Sequence, residues 1–128
     1  MINYGFSKVI SEPFENVLER IKEELQKEGF GILTSIDLKE KFKEKLEIDF
    51  KNYIILGACN PSFAHKALQF EEDIGLMLPC NVIVYEKDGN TGVSIVKPTV
   101  AMQMIDNEPL NEIANHIEGK LRKVFEAM

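Results

Sequence analysis

Apolar residues recur with a period of two over residues 2–10. Ile2, Tyr4, Phe6 and Ile10 share one side of an extended chain, and Asn3, Gly5 and Ser7 the other, which predicts a strand. Ser11 stands where a helix N-cap is expected and Pro13 at an early helical position. The period then lengthens: Phe14, Val17, Leu18, Ile21 and Leu25 recur at helical spacing, and Gly29 ends the run as a C-cap. Phe30 to Ile36 predicts a second strand, with Phe30, Ile32, Thr34 and Ile36 on one side. Asp37 and Glu40 have capping-box spacing, so Leu38, Phe42 and Leu46 are read as the stripe of a short surface helix.

Tyr53 to Ala58 is apolar at every position but the glycine, as expected of a strand buried on both faces. Asn60 and Pro61 supply the N-cap and first position of the next helix, whose buried side is read as Phe63, Ala64, Ala67, Leu68 and Phe70. That helix should stop before Glu71-Glu72-Asp73, because carboxylates oppose the negative end of the helix dipole. Val82–Glu86 and Val93–Lys97 read as a hairpin turned by Asp88-Gly89-Asn90. Thr99 to Ile105 leaves room for one helical turn. Asn107-Glu108-Pro109 opens the last helix, whose stripe of Leu110, Ile113, Ala114, Ile117, Leu121, Val124 and Phe125 is the clearest periodic signal in the chain. These elements sum to an α+β, two-layer domain spanning residues 1–128, with a sheet that is at least partly antiparallel and the long first and last helices on one face.

Composition narrows the class. The 128 residues and 45% hydrophobic content suit one ordinary core. A net charge of −6 argues against nucleic acid, whose phosphates favour a basic face, and against anionic membrane surfaces. No apolar run is long enough to span a bilayer. The N-terminal residues lack the pattern of a secretory signal, so a cytoplasmic location is expected, with both cysteines as free thiols.

Candidate chemistry gathers at two Cys-Asn pairs, Cys59-Asn60-Pro61 and Pro79-Cys80-Asn81. Cys59 precedes a helix N-terminus, where exposed N–H groups and the dipole favour a thiolate and lower its pKa. The plainer account is a small buried hydrophobe closing a core strand. Cys80 is too far along the chain for a Cys-x-x-Cys motif. If the two strands are neighbours, the thiols share a metal, close a reversible disulfide or simply pack, and packing is the plainest of the three. His65 is either a solvated side chain or a base that leans back towards Cys59. Cys59, Cys80 and His65 are also soft-metal ligands, although three leave a site incomplete. Asn60, Asn81, Pro61 and Pro79 would wall a ligand pocket; as a cap and a turn the asparagines need no ligand. Glu71 and Glu72 are read as a solvated acidic corner, and His116 carries no assignment.

The run Tyr53-x-Ile55-Leu56-Gly57-Ala58-Cys59-Asn60-Pro61, then Ala64-His65-x-Ala67-Leu68, then Ile74-Gly75-Leu76-x-Leu78-Pro79-Cys80-Asn81-Val82-x-Val84-Tyr85 resembles the family known as domain of unknown function 302. The likeness extends over most of the chain and is densest over residues 53–98. It implies an antiparallel sheet with two long helices on one face, akin to half of a TATA-binding protein, often as a homodimer. It also implies a prokaryotic origin and, by association alone, thiol or sulfur metabolism, with no agreed activity. Two functions therefore stand side by side. One is a small-ligand-binding or thiol-handling domain, with Cys59 as nucleophile or ligand, Cys80 as second thiol and His65 at the rim. The other is a non-enzymatic homodimeric module that pairs through a sheet edge or apolar helix face, its cysteines in the core. A soft-metal-binding protein is a third. No motif commits the chain to catalysis.

Overall fold

The computed structural model describes residues 2–128. Five strands, β1 (Gly5–Ile10), β2 (Gly31–Asp37), β3 (Tyr53–Cys59), β4 (Cys80–Lys87) and β5 (Asn90–Val96), form one sheet in the order β1-β5-β4-β3-β2, and every neighbouring pair is antiparallel. Helix α1 (Phe14–Lys27) joins the two edge strands, so it must cross the sheet. That crossing buries Val17, Ile21 and Leu25. Helix α2 (Leu38–Leu46) lies between β2 and β3, α3 (Pro61–Phe70) and a 3-10 turn (Glu72–Met77) between β3 and β4, and α4 (Pro98–Ala101) and α5 (Glu108–Glu126) follow β5.

The main core lies between one face of the sheet and α1 with the C-terminal half of α5. Leu56, Val82, Val84, Val93 and Ile95 meet Val17, Ile21, Leu25, Leu121 and Val124 there. A smaller core of Ala67, Ile74, Met102, Leu110 and Ala114 joins α3, the 3-10 turn and the start of α5. Local signals explain the joints. Gly29 has φ +84°, Phe30 N–H donates to the Leu25 carbonyl at 2.9 Å, and Gly29 N–H donates to that of Gln26 at 3.0 Å. This is a Schellman ending whose apolar partners, Leu25 and Phe30, are both buried. The β4–β5 turn places both Asp88 and Gly89 at positive φ, the arrangement that suits the twist of a two-residue hairpin. Asp37 Oδ1 accepts from Glu40 N–H at 3.0 Å, and Asn107 Oδ1 from Leu110 N–H at 3.2 Å.

Several expectations change. Tyr4 precedes β1 and is exposed; with Ile2 it lies beside the sheet face opposite the core, because regular alternation starts only at Gly5. Ser11 is no cap. The chain turns at Ser11-Glu12, where the Glu12 carbonyl accepts from Thr91 Oγ1 at 2.8 Å and its carboxylate meets Arg20, and α1 begins only after Pro13. A bulge between Ile32 and Thr34 reverses the alternation in β2, so Thr34 and Ile36 oppose Gly57 and Ile55, on the side away from Phe30 and Ile32. In α3 only Ala67 is buried, and Leu68 and Phe70 are exposed. β3 is fully buried on one side only: Ile54, Leu56 and Ala58 enter the core, while Tyr53 and Ile55 are half-buried on the other, where Tyr53 packs on Phe50 and Phe50 on Phe42 of α2, with centroids 6.3 and 5.1 Å apart.

Candidate functional site

The two cysteines are brought together. Ala58 stands directly opposite Cys80 in the β3–β4 register, so Cys59 is the diagonal neighbour of Cys80. Both line a cavity of about 30 Å³, whose walls include Phe30, Phe63, Leu78, Met102 and Ala114. That volume holds about one water, and an apolar lining offers it little to bond. Burial pushes the Cys80 thiol up to about 11, with the nearby Cys59 adding to the effect, and burial also raises Cys59. The lowered Cys59 pKa expected from the helix N-terminus is not found: burial of the thiol moves it the other way.

The other predicted residues scatter. His65 is exposed; its Nε2 lies 3.5 Å from Gln69 Nε2, and it does not line the cysteine cavity. Asn60 occupies the N-cap position of α3 but its side chain caps nothing. Its Nδ2 instead donates to the Glu28 carbonyl at 3.4 Å, joining the start of α3 to the end of α1. Pro61 takes the first helical position and is exposed. Pro79 and Asn81 belong to a different hollow, an open groove of about 240 Å³ between residues 76–81 and 96–102, with Cys80 common to both spaces. Among the described residues no three His, Cys, Asp or Glu side chains gather as metal ligands. His116 stacks its ring on Phe63 with centroids 6.2 Å apart.

The largest hollow is one the sequence did not suggest. It measures about 360 Å³ and lies on the sheet face opposite α1 and α5, lined by Tyr4, Ser7, Tyr53, Asn81, Ile83, Tyr85, Ser94 and Val96 among others. All three tyrosines of the chain meet here. Tyr53 and Tyr85 stack with centroids 5.4 Å apart, and Ser7 and Ser94 share a hydrogen bond of 2.8 Å. Gly92 makes room for this: a Cβ there would meet the Tyr85 ring at 2.5 Å. Burial raises the Tyr53 hydroxyl, and Tyr85 and Tyr4 add to it. Of the positions that the strand registers turn to this side, only Lys87, at the hairpin tip, carries a charge. The signal in the sequence was that absence of charge, at Asn81-Ile83-Tyr85 and Gly92-Ser94-Val96, where a wetted face would carry Lys or Glu.

Comparison with known proteins gives a family but no activity. The family model described as Domain of unknown function DUF302 matches residues 6–128. A crystal structure of an uncharacterized conserved protein DUF302 from Bacillus stearothermophilus superimposes with a TM-score of 0.90 at 33% identity, covering 98% of each chain. The curated proteins contain no match. Among the described residues no helix is long and apolar enough to cross a membrane.

Proposed function

Because the chain belongs to the family described as domain of unknown function DUF302, its role has to be read from its surfaces, and we propose that it is a non-enzymatic module that pairs with a second copy of itself through the sheet face opposite α1 and α5. The observation that carries this reading is the scarcity of charge on that face, whose strand positions carry only Lys87 and whose Tyr85 ring has the Lys51 ammonium 5.1 Å from its centre. Tyrosine enrichment and loss of charge at the centre are what distinguish a protein interface from ordinary surface. A chain of net charge −6 repels its own copies. A two-fold interface must also match itself residue for residue, so a face whose strand positions hold no carboxylate is the one on which identical acidic copies meet with least repulsion.

The alternatives are less well supported. The apolar stripes of α1 and α5 are already buried against the sheet. The β2 edge is interrupted by its bulge, which opposes continuation of the sheet into a neighbour. Thiol handling has two raised thiols, a cavity for about one water and a histidine that stands elsewhere. The cysteines then act as small core residues.

Sedimentation equilibrium over a range of concentrations and salt tests the proposal. A species of twice the 14.6 kDa chain mass is expected. Its association should be unchanged or strengthened in about 1 M salt, since screening relieves repulsion between acidic copies and leaves a neutral contact intact. A monomer at every concentration, or a dimer dissolved by salt, overturns it.

A further inference from the structure

A second surface lies where α3 ends. Asn107 Nδ2 donates to the Phe70 carbonyl at 2.9 Å and so fastens the end of α3 to the loop that leads into α5. Around this joint large apolar side chains stand in water: Leu76 is 87% and Met104 77% exposed, with Leu68 and Phe70 exposed as well. Single exposed apolar residues are ordinary. Leu76 also lines a hollow of about 230 Å³ with Ile74, Met77 and Ile105, with Glu71 and Asp73 at its margin, and Met104 is the chain neighbour of Ile105. Residues 68–76 and 103–112 carry Glu71, Glu72, Asp73, Asp106, Glu108 and Glu112 and no lysine or arginine. Among the described residues none of these carboxylates joins an ion pair. The two most exposed of the large apolar side chains, Leu76 and Met104, thus stand in the stretches that carry unbalanced acidic charge.

We propose that this end is a docking surface for a cationic amphipathic segment of a partner protein, which sets an apolar side chain into the hollow between Ile74 and Ile105 and lysines or arginines against Glu71, Asp73 and Asp106. An apolar centre inside a charged margin is the usual plan of such a contact. The charge selects the occupant. A second copy would bring carboxylates against carboxylates, and an anionic lipid surface would be repelled. The proposal is independent of pairing through the sheet face, which uses other residues.

The test uses the full chain and a fluorescein-labelled synthetic helix with leucines on one face and lysines on the other, read by fluorescence anisotropy. A peptide of the same composition, scrambled to lose the apolar face, serves as control. The amphipathic helix should bind. Its affinity should fall about tenfold or more when Leu76→Ser and Met104→Ser are combined, and by a similar factor when Glu71→Gln, Asp73→Asn and Asp106→Asn are combined. Both sets change exposed or marginal side chains, and circular dichroism checks that each variant is folded. Leu46→Ser, a comparably exposed apolar side chain at the end of α2, should leave binding unchanged. No binding at about 1 mM peptide, equal binding of the scrambled peptide, or undiminished binding to the Leu76/Met104 variant overturns the proposal.

Discussion

A thiol surrounded by Ala58, Leu78, Met102 and Ala114 has little near it to stabilise its conjugate base, and Cys80 shows the consequence. With its pKa near 11 against an ordinary 9, its thiolate fraction at neutral pH is about a hundredfold lower than that of a free thiol. Alkylation of the native protein at pH 7, followed by mass spectrometry, should therefore modify Cys59 more slowly than a model thiol and Cys80 more slowly still; rapid modification of either would restore a reactive site. The same shift makes stability depend on pH. The folded state holds the Cys80 proton more tightly than the unfolded chain, so its contribution is complete below about pH 9 and is lost as pH rises towards 11. Denaturant unfolding at pH 8 and near pH 11 should show a loss on the order of 2 kcal/mol that is absent from Cys80→Ala, since tyrosines and lysines titrate alike in both proteins. The Cys-Asn pairs were legible as a neighbourhood, because short loops and antiparallel strands bring such positions together. The direction of the pKa shifts was not, because a helix N-terminus is visible in a sequence and the desolvation around a thiol is not.

Element ends were read best where one residue type has one geometric use. Gly29, the Asp88-Gly89 turn and the Asp37 and Asn107 caps all stand as their chemistry requires. Asn107 has a double duty, capping α5 and holding the end of α3. Asn107→Ala should cost about 1–2 kcal/mol in thermal or denaturant unfolding, whereas Asn60→Ala, which removes no cap, should cost less. Periodicity failed where the backbone broke step. The bulge at β2 sent Thr34 and Ile36 to the far side from Ile32, and nothing in Gly31–Asp37 announces an extra residue. The apolar run Tyr53–Ala58 failed differently. A strand buried on both faces and a strand half-buried on its outer face read alike, because Tyr53 and Ile55 are as apolar as the core residues between them.

At the scale of the whole molecule, α1 and α5 cover one side of a five-stranded sheet, and the other side, bordered by Phe42 of α2 and Phe50, is poor in charge, tyrosine-rich and hollow. The acidic residues are drawn elsewhere, notably to the end of α3 and the start of α5, so the proposed surfaces are a face without carboxylates for a copy of itself and an acidic end for a cationic partner. Fold class and the covering helices followed from the α1 and α5 stripes. The character of the opposite face did not, because its meaning depends on where the chain crosses the sheet. Ile83 lies at its middle, opposite Ile55 on one side and Ser94 on the other, and points away from the core. A glutamate there meets water in a lone chain and the same glutamate of the partner in a pair, so it separates folding from association. Sedimentation of Ile83→Glu beside the unaltered protein is the most direct measurement: a folded monomer of 14.6 kDa where the parent is a dimer is the predicted result, and a parent that is already monomeric, or a variant dimer as tight as the parent's, contradicts it.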